Sequence, residues 1–308
     1  MNKLYNQISS LKTEQVNKNS INIDQSSTSE ILKIINDEDK KVAFAVEKEL
    51  VNISKAVEII VAAFRNGGRL IYMGAGTSGR LGIIDAAECP PTFGTNSEMV
   101  QGLIAGGKRA MFDAVEGAED LEENGQKALE SINANSKDII CGLAASGRTP
   151  FVIGGLKEAK RIGAKSVLIT TVDKSQAIEN GANADIMICP NVGPEVIMGS
   201  TRMKSGTAQK LVLNMLTTAA MVKLGKTYEN VMIDLQMNNT KLEERAKKIL
   251  INICNIDYKT AEKLLIECNG HVKSAIIMEL TNCSYEKAQT LIKENDGFVR
   301  NSINKSIK

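Results

Sequence analysis

Three glycine- and hydroxyl-rich segments carry the residue types best suited to chemistry in this chain. Gly74-Ala75-Gly76-Thr77-Ser78-Gly79-Arg80 stands between an apolar run and a helical pattern. Small residues there let backbone N–H groups approach a ligand, and a helix N-terminus favours negative charge, so Thr77 and Ser78 are candidates to hold a phosphate. Ala145-Ser146-Gly147-Arg148-Thr149 repeats that grammar after another apolar run, making Ser146, Gly147 and Thr149 a second candidate loop. A third segment, Gly193 to Lys210, gathers Ser200, Thr201, Arg202 and Lys204 at the entry to a long helix. Ser200 and Lys204 are its candidate substrate contacts, Lys204 because it closely follows the hydroxyl pair. Taken singly, each string also suits a packing turn or a helix cap. Two hydroxyl-bearing turns at strand ends of one sheet favour a shared phosphorylated ligand.

Carboxylates supply the acid–base candidates. Glu88 precedes Pro90-Pro91, which are expected to end the preceding helix and keep Glu88 near the first loop. Val115-Glu116-Gly117-Ala118-Glu119-Asp120 concentrates three carboxylates, either as an acidic surface turn or as part of a pocket. Two carboxylates in one pocket can divide into acid and base if their environments separate their pKa values. The single histidine, His271, leaves no His-based metal site and little room for a Ser-His-Asp triad. Gly74-x-Gly76-x-x-Gly79 matches a dinucleotide fingerprint only loosely. No acidic residue ends the next candidate strand, and no catalytic histidine falls in the α/β part, so a nicotinamide dehydrogenase is remote.

These residues need a scaffold that brings strand ends together. The 308 residues, 43% hydrophobic and 24% charged, suffice for a large α/β core and a small extra domain. Apolar runs at 69–74, 100–106, 138–146, 166–171 and 185–190 read as five parallel strands. Helical stretches at 122–132 and 151–163 lie between them, which predicts a doubly wound α/β sheet. Val46, Leu50, Ile53, Val57, Ile60 and Phe64 recur at helical spacing and predict one helix over about 39–64. A long helix starts near Gly206. From about Asn239 strand signals stop, and 261–270, 271–280 and 284–297 read as short helices. The domain reading is 1–240 for the α/β domain with its N-terminal arm and 241–308 for a small helical domain. The polar stretch 1–29 reads as a mobile arm.

Lys and Arg total 38 against 36 Asp and Glu, so charge offers no case for a nucleic-acid or anionic-membrane partner and favours a small molecule. Six scattered cysteines without a Cys-x-x-Cys pair suit buried thiols in a reducing compartment. The N-terminus lacks the apolar segment of an export signal, and the run Leu211 to Val222 is too short and too interrupted to span a bilayer. The chain is read as cytoplasmic.

The strings YMGAGTSGRLGIIDAAECPPTFG, GLIAGG, AVEGAED, AASGRTPFVIGGL and GPEVIMGSTRMKSGTAQKLVLNM together resemble those of bacterial N-acetylmuramic acid 6-phosphate etherases. The resemblance runs from about Lys12 to the last residues and includes INDEDK (35–40). It implies the sugar isomerase fold: a three-layer α/β domain, a small C-terminal helical domain, a homodimer, and no metal or redox cofactor. It also implies cleavage of the D-lactyl ether of the muramic acid phosphate to N-acetylglucosamine 6-phosphate and D-lactate, in cell-wall sugar recycling. By motif, Glu88 is then the acid that protonates departing lactate and Glu119 the base that removes the C2 proton, with Glu116 a nearby decoy. Phosphate falls to Thr77, Ser78, Ser146, Gly147 and Thr149. The sequence departs from the family where the arginine and proline of TEQRNPNS are Val16 and Lys18, and where an Asn-Pro turn is Val172-Asp173. A non-catalytic sugar-phosphate sensor could use the same loops, but retention of both glutamates argues for an enzyme. An aldose–ketose isomerase would not release lactate.

Overall fold

The computed structural model describes residues 12–235 and 240–307. The described chain falls into two compact units. One runs up to Ala87 and includes Glu98–Thr217; the other comprises Glu88–Ser97 and the residues from Thr218 onward.

In the first unit the N-terminal segment is docked. Three single 3-10 turns, Lys12–Glu14, Lys18–Ser20 and Ile23–Gln25, precede the first helix. Lys12 pairs with Asp173 at 2.6 Å. Asn17 Nδ2 donates to Pro194 O at 3.1 Å, Ser20 Oγ donates to Val196 O at 2.7 Å, and Gly199 N donates to Thr13 O at 3.1 Å. The expectation of a mobile arm is therefore corrected from Lys12 onward, while its residues 1–11 lie outside the described residues. Polar composition misled because these side chains satisfy buried backbone carbonyls rather than water. Three of the departing positions lie at these contacts: Val16 and Lys18 bracket Asn17, and Asp173 receives Lys12.

Helix α1 (Thr28–Glu47) begins at a capping box in which Ser27 and Glu30 each take the other's backbone N–H. Helix α2 (Leu50–Arg65) follows after a break at Lys48-Glu49, so the single helix expected over 39–64 is two. No glycine or proline marks the break. The heptad-like spacing carries across it, yet Val46 is 1% exposed and Leu50 48%.

Strand β1 (Leu70–Gly74) leads directly into α3 (Gly76–Phe93), then β2 (Val100–Ile104). Next come α4 (Glu122–Ser131), β3 (Ile139–Leu143), α5 (Pro150–Ile162), β4 (Lys165–Ile169), the short α6 (Lys174–Glu179), β5 (Ile186–Ile188) and α7 (Lys204–Lys223). All five strands expected from the sequence are present and parallel, in the order β2-β1-β3-β4-β5. Ile71 and Met73 of β1, Ile140 of β3 and Leu168 of β4 join Leu129 of α4 and Val152 and Leu156 of α5 in one buried cluster. Each such side chain contributes roughly 1.5–3 kcal/mol by leaving water. On the opposite face Tyr72 donates to Asp85 of α3 at 2.9 Å, and Asn214 and Thr217 of α7 donate to the same carboxylate at 2.9 and 3.2 Å. Helices thus cover both faces of the sheet, giving the three-layer doubly wound α/β architecture that the alternation of elements predicts.

The second unit contains a two-stranded antiparallel pair, β6 (Thr227–Tyr228) and β7 (Val231–Met232). Five helices follow: α8 (Thr240–Cys254), α9 (Tyr258–Glu267), α10 (Val272–Thr281), α11 (Tyr285–Glu294) and α12 (Val299–Ile307). Leu250, Leu265, Ile276 and Leu291 lie in their shared core. His271 caps α10, its Nδ1 2.7 Å from Ser274 Oγ, and burial pushes its imidazole pKa down. The only histidine is thus a helix cap.

Candidate active site

In the order 2-1-3-4-5 the chain leaves β1 towards one edge and β3 towards the other, so a crevice opens beyond their carboxyl ends at that switch point. The two loops singled out by sequence are the ones that follow β1 and β3. One residue, Ala75, separates β1 from α3, and Gly79 closes the turn tightly. A Cβ at Gly79 would stand 2.6 Å from Ile104 Cγ1 and 2.7 Å from Gly74 O. Thr77 and Ser78 therefore occupy the first turn of α3, at the positive end of its dipole. After β3, Gly147 adopts φ +63° and Thr149 stands just before Pro150, the first residue of α5. Among the described residues the hydroxyls of Thr77, Ser146 and Thr149 carry no hydrogen bond, so they remain available to a ligand.

The start of α7 braces both loops. A Cβ at Gly206 would meet Thr77 Cγ2 at 3.5 Å, and Ser205 Oγ is 2.9 Å from Thr171 Oγ1, which in turn donates to Ala145 O at 3.0 Å. Glu195, fully buried, accepts Lys204 N and Ser205 N, each at 2.9 Å, and Ser205 Oγ at 2.8 Å. This carboxylate caps the helix and turns its first residues towards the crevice wall. Ser78 donates to Gln209 Oε1, one turn further along α7, at 2.8 Å.

Lys204 is placed differently from the sequence reading. It is 1% exposed, and its Nζ donates to Glu38 Oε2 at 2.6 Å and to Val192 O at 2.9 Å. Its charge is spent inside the protein, on the glutamate of INDEDK, so it is not a substrate contact. The spacing that put Lys204 next to Ser200 and Thr201 says nothing about direction. The first turn of a helix points successive side chains about 100° apart, and Lys204 points inward. Ser200 remains half-exposed with its hydroxyl unpartnered among the described residues.

Glu119 comes to the first loop. A cavity of about 170 Å³ is lined by Ala75, Gly76, Arg80, Val115, Glu116 and Glu119, among others. Arg80 of α3 holds that acidic turn in place: Nε donates to Met111 O and Nη2 to Asp113 O, both at 3.0 Å. From the other side Phe151 N of α5 donates to Glu119 O at 3.0 Å. Glu119 thus stands between the β1 and β3 loops. Partial burial pushes its carboxyl above the ordinary carboxylate value; Asp120 and Glu116 push it further, and Arg148 opposes them. The residue remains accessible overall.

Glu88 is an exposed mid-helix residue of α3 and belongs with the second compact unit. The double proline does not end the helix as expected, because Pro90 and Pro91 lie inside it and it continues to Phe93. A proline removes only its own N–H donor and bends the turn before it, which a helix held by tertiary contacts survives. Sequence reading missed Arg80 and Gln209. Arg80 stood in the quoted GTSGR string, whereas Gln209 carried no signal beyond its place in a helix. Among the described residues no group of three His, Cys, Asp or Glu side chains is placed to hold a metal.

Hydroxyl loops beneath helix N-termini at the switch point of a 2-1-3-4-5 parallel sheet define a phosphosugar-type α/β protein of the sugar isomerase class. The family model of the glucokinase regulatory protein N-terminal SIS domain matches residues 52–160. Within that class the chain belongs to the N-acetylmuramic acid 6-phosphate etherase family. It is 54% identical to the etherase of Salinibacter ruber over 89% of this chain and 88% of the relative. To the etherase of a Geobacillus species it is 54% identical over 87% and 90%, and to that of Clostridium botulinum strain Loch Maree 57% over 87% and 88%.

Proposed function

We propose that this enzyme cleaves the D-lactyl ether of N-acetylmuramic acid 6-phosphate by elimination and hydration, with Glu119 as base and Glu88 as acid. The observation that supports this reading is the cavity that Glu119 shares with Ala75, Gly76 and Arg80, the backbone of the first loop next to Thr77 and Ser78. Thr77, Ser78, Ser146, Gly147 and Thr149 hold the 6-phosphate through hydroxyls, backbone N–H groups and the dipoles of α3 and α5. Ser200, near the start of α7, contacts the sugar.

The chemistry follows from the substrate. Opening the pyranose exposes an aldehyde at C1 and acidifies the C2 hydrogen. Glu119 takes that proton, the electron pair forms a C2–C3 double bond, and the C3–O bond to lactate breaks. Glu88 protonates the departing oxygen. Water then adds at C3 and a proton returns to C2, giving N-acetylglucosamine 6-phosphate. A base with a raised pKa is the stronger base at neutral pH, which is the direction found for Glu119. Glu88 takes the acid role on its motif and its exposed carboxyl.

The enzyme is further proposed to work as a homodimer in the cytoplasm. Phe44, Val51 and Phe112 are 66%, 67% and 90% exposed, apolar surface of the kind a second copy covers. No helix among the described residues is long and apolar enough to cross a membrane.

The test is D-lactate release from N-acetylmuramic acid 6-phosphate by the wild type and by Glu119→Gln and Glu88→Gln, with folding checked by circular dichroism. Release by the wild type and its loss in both folded variants is expected. Phosphosugar binding without release by the wild type would replace the etherase with a sensor.

A further inference from the structure

Gln209 lies on the inner side of α7 and is 1% exposed. Its Oε1 accepts the Ser78 hydroxyl at 2.8 Å, while its Nε2 is buried with no partner among the described residues. Two consequences follow. An amide nitrogen with two N–H donors is buried unsatisfied, a less tolerable state than a buried carbonyl oxygen short of a donor. Ser78 has a single proton and gives it to Gln209, so it turns only lone pairs towards the crevice. Lone pairs repel a phosphate dianion.

Turning the amide over frees the Ser78 proton and leaves the carbonyl oxygen, the more tolerable of the two, as the atom short of a partner. The two orientations have the same shape and volume, so the 2.8 Å contact is kept. Nε2 then donates to Ser78 Oγ, and the Ser78 proton is released to donate outward. A chain of donors runs from α7 through Ser78 to the anion, each bond polarising the next. Thr77 and Ser146 have no internal partner and need no such device. We propose that Gln209 is a positioning residue that sets the donor sense of Ser78, converting it from a self-satisfied hydroxyl to a phosphate donor when a phosphosugar enters. This rests on the reading of Thr77–Ser78 as the phosphate loop.

The experiment measures calorimetric binding of N-acetylglucosamine 6-phosphate and of unphosphorylated N-acetylglucosamine to the full-length chain. It compares wild type, Gln209→Glu, Gln209→Met, Ser78→Ala and the Ser78→Ala/Gln209→Glu double variant. A glutamate can only accept and holds the Ser78 proton inward, so Gln209→Glu should weaken phosphosugar binding tenfold or more and leave the unphosphorylated sugar unaffected. Methionine neither traps nor orients the proton, and its loss should be smaller. In the Ser78→Ala background Gln209→Glu should add little, because the two act through one hydroxyl. Equal losses for Gln209→Glu and Gln209→Met, or a Gln209→Glu penalty that persists undiminished without Ser78, would overturn the proposal. A wild type that binds both sugars equally would overturn instead the phosphate-loop reading beneath it. Gln209→Glu is nearly isosteric, so the comparison stands even if Gln209→Met fails to fold.

Discussion

Replacing Lys204 with methionine separates an internal ion pair from a substrate ligand. The side chain is 1% exposed and its Nζ bridges Glu38 and Val192 O. Methionine keeps the volume and removes the charge. Glu38, 4% exposed at its side chain, would keep Lys41, Asn19 and Asn17 but lose its buried cationic partner. Removing one partner of a buried pair costs about 3–5 kcal/mol. Burial alone would push Glu38 up, but donation from Lys204, Lys41, Asn19 and Asn17 together holds it at about 2, and Lys204 is the largest of these donors. For a unit of this size a loss of about 3–5 kcal/mol is a fall in Tm on the order of 10 °C. The assay is thermal and urea unfolding of wild type, Lys204→Met, Glu38→Leu and the double variant. The double variant should recover much of the loss, since neither charge is then stranded. A Lys204→Met protein as stable as wild type but unable to bind N-acetylglucosamine 6-phosphate would refute this placement and restore Lys204 as a substrate contact.

The same carboxyl makes a pH prediction. Its folded pKa lies below its unfolded value, so its stabilisation is complete above about pH 4.5 and drains away as pH falls towards about 2; wild type should lose stability over that window more steeply than Glu38→Gln. Because the Glu119 carboxyl is raised, the acid limb of the kcat/KM profile should lie above the ordinary glutamate range. Arg148→Ala removes the one opposing charge and should move that limb to still higher pH, read from lactate release between pH 4 and 8. Gly79→Ala drives a methyl into Ile104 and the Gly74 carbonyl, so phosphosugar binding should fall at least tenfold, measured by calorimetry. Arg80→Ala frees the turn that carries Glu119 and should lower kcat more than it raises KM.

Much of this protein was determined by local residue patterns. Alternating apolar runs and helical stretches were enough for five parallel strands, though not for their order in the sheet, because strand burial and helix periodicity are written within windows of five to eighteen residues. The hydroxyl loops were legible for the same reason: a glycine turn between a strand and a helix has few uses, and its position relative to the sheet follows from topology alone. The placement of Glu119 beside the first loop was not written there. It depends on Arg80 reaching the carbonyls of Met111 and Asp113, contacts across a turn with no periodicity. Local signals also misdirected at four points, the docked N-terminal segment read as a mobile arm being one. Pro90-Pro91 read as a helix end, but α3 runs through them; Val46 to Phe64 read as one helix, but the chain breaks at Lys48-Glu49. Lys204 read as a ligand for an anion, but Glu38, far away in sequence, claims it. Direction and partnership of a polar side chain are set by whatever the folded chain brings opposite it. That is why sequence alone could name the groups able to do chemistry, and only the tertiary structure decided which of them face a substrate and which face each other.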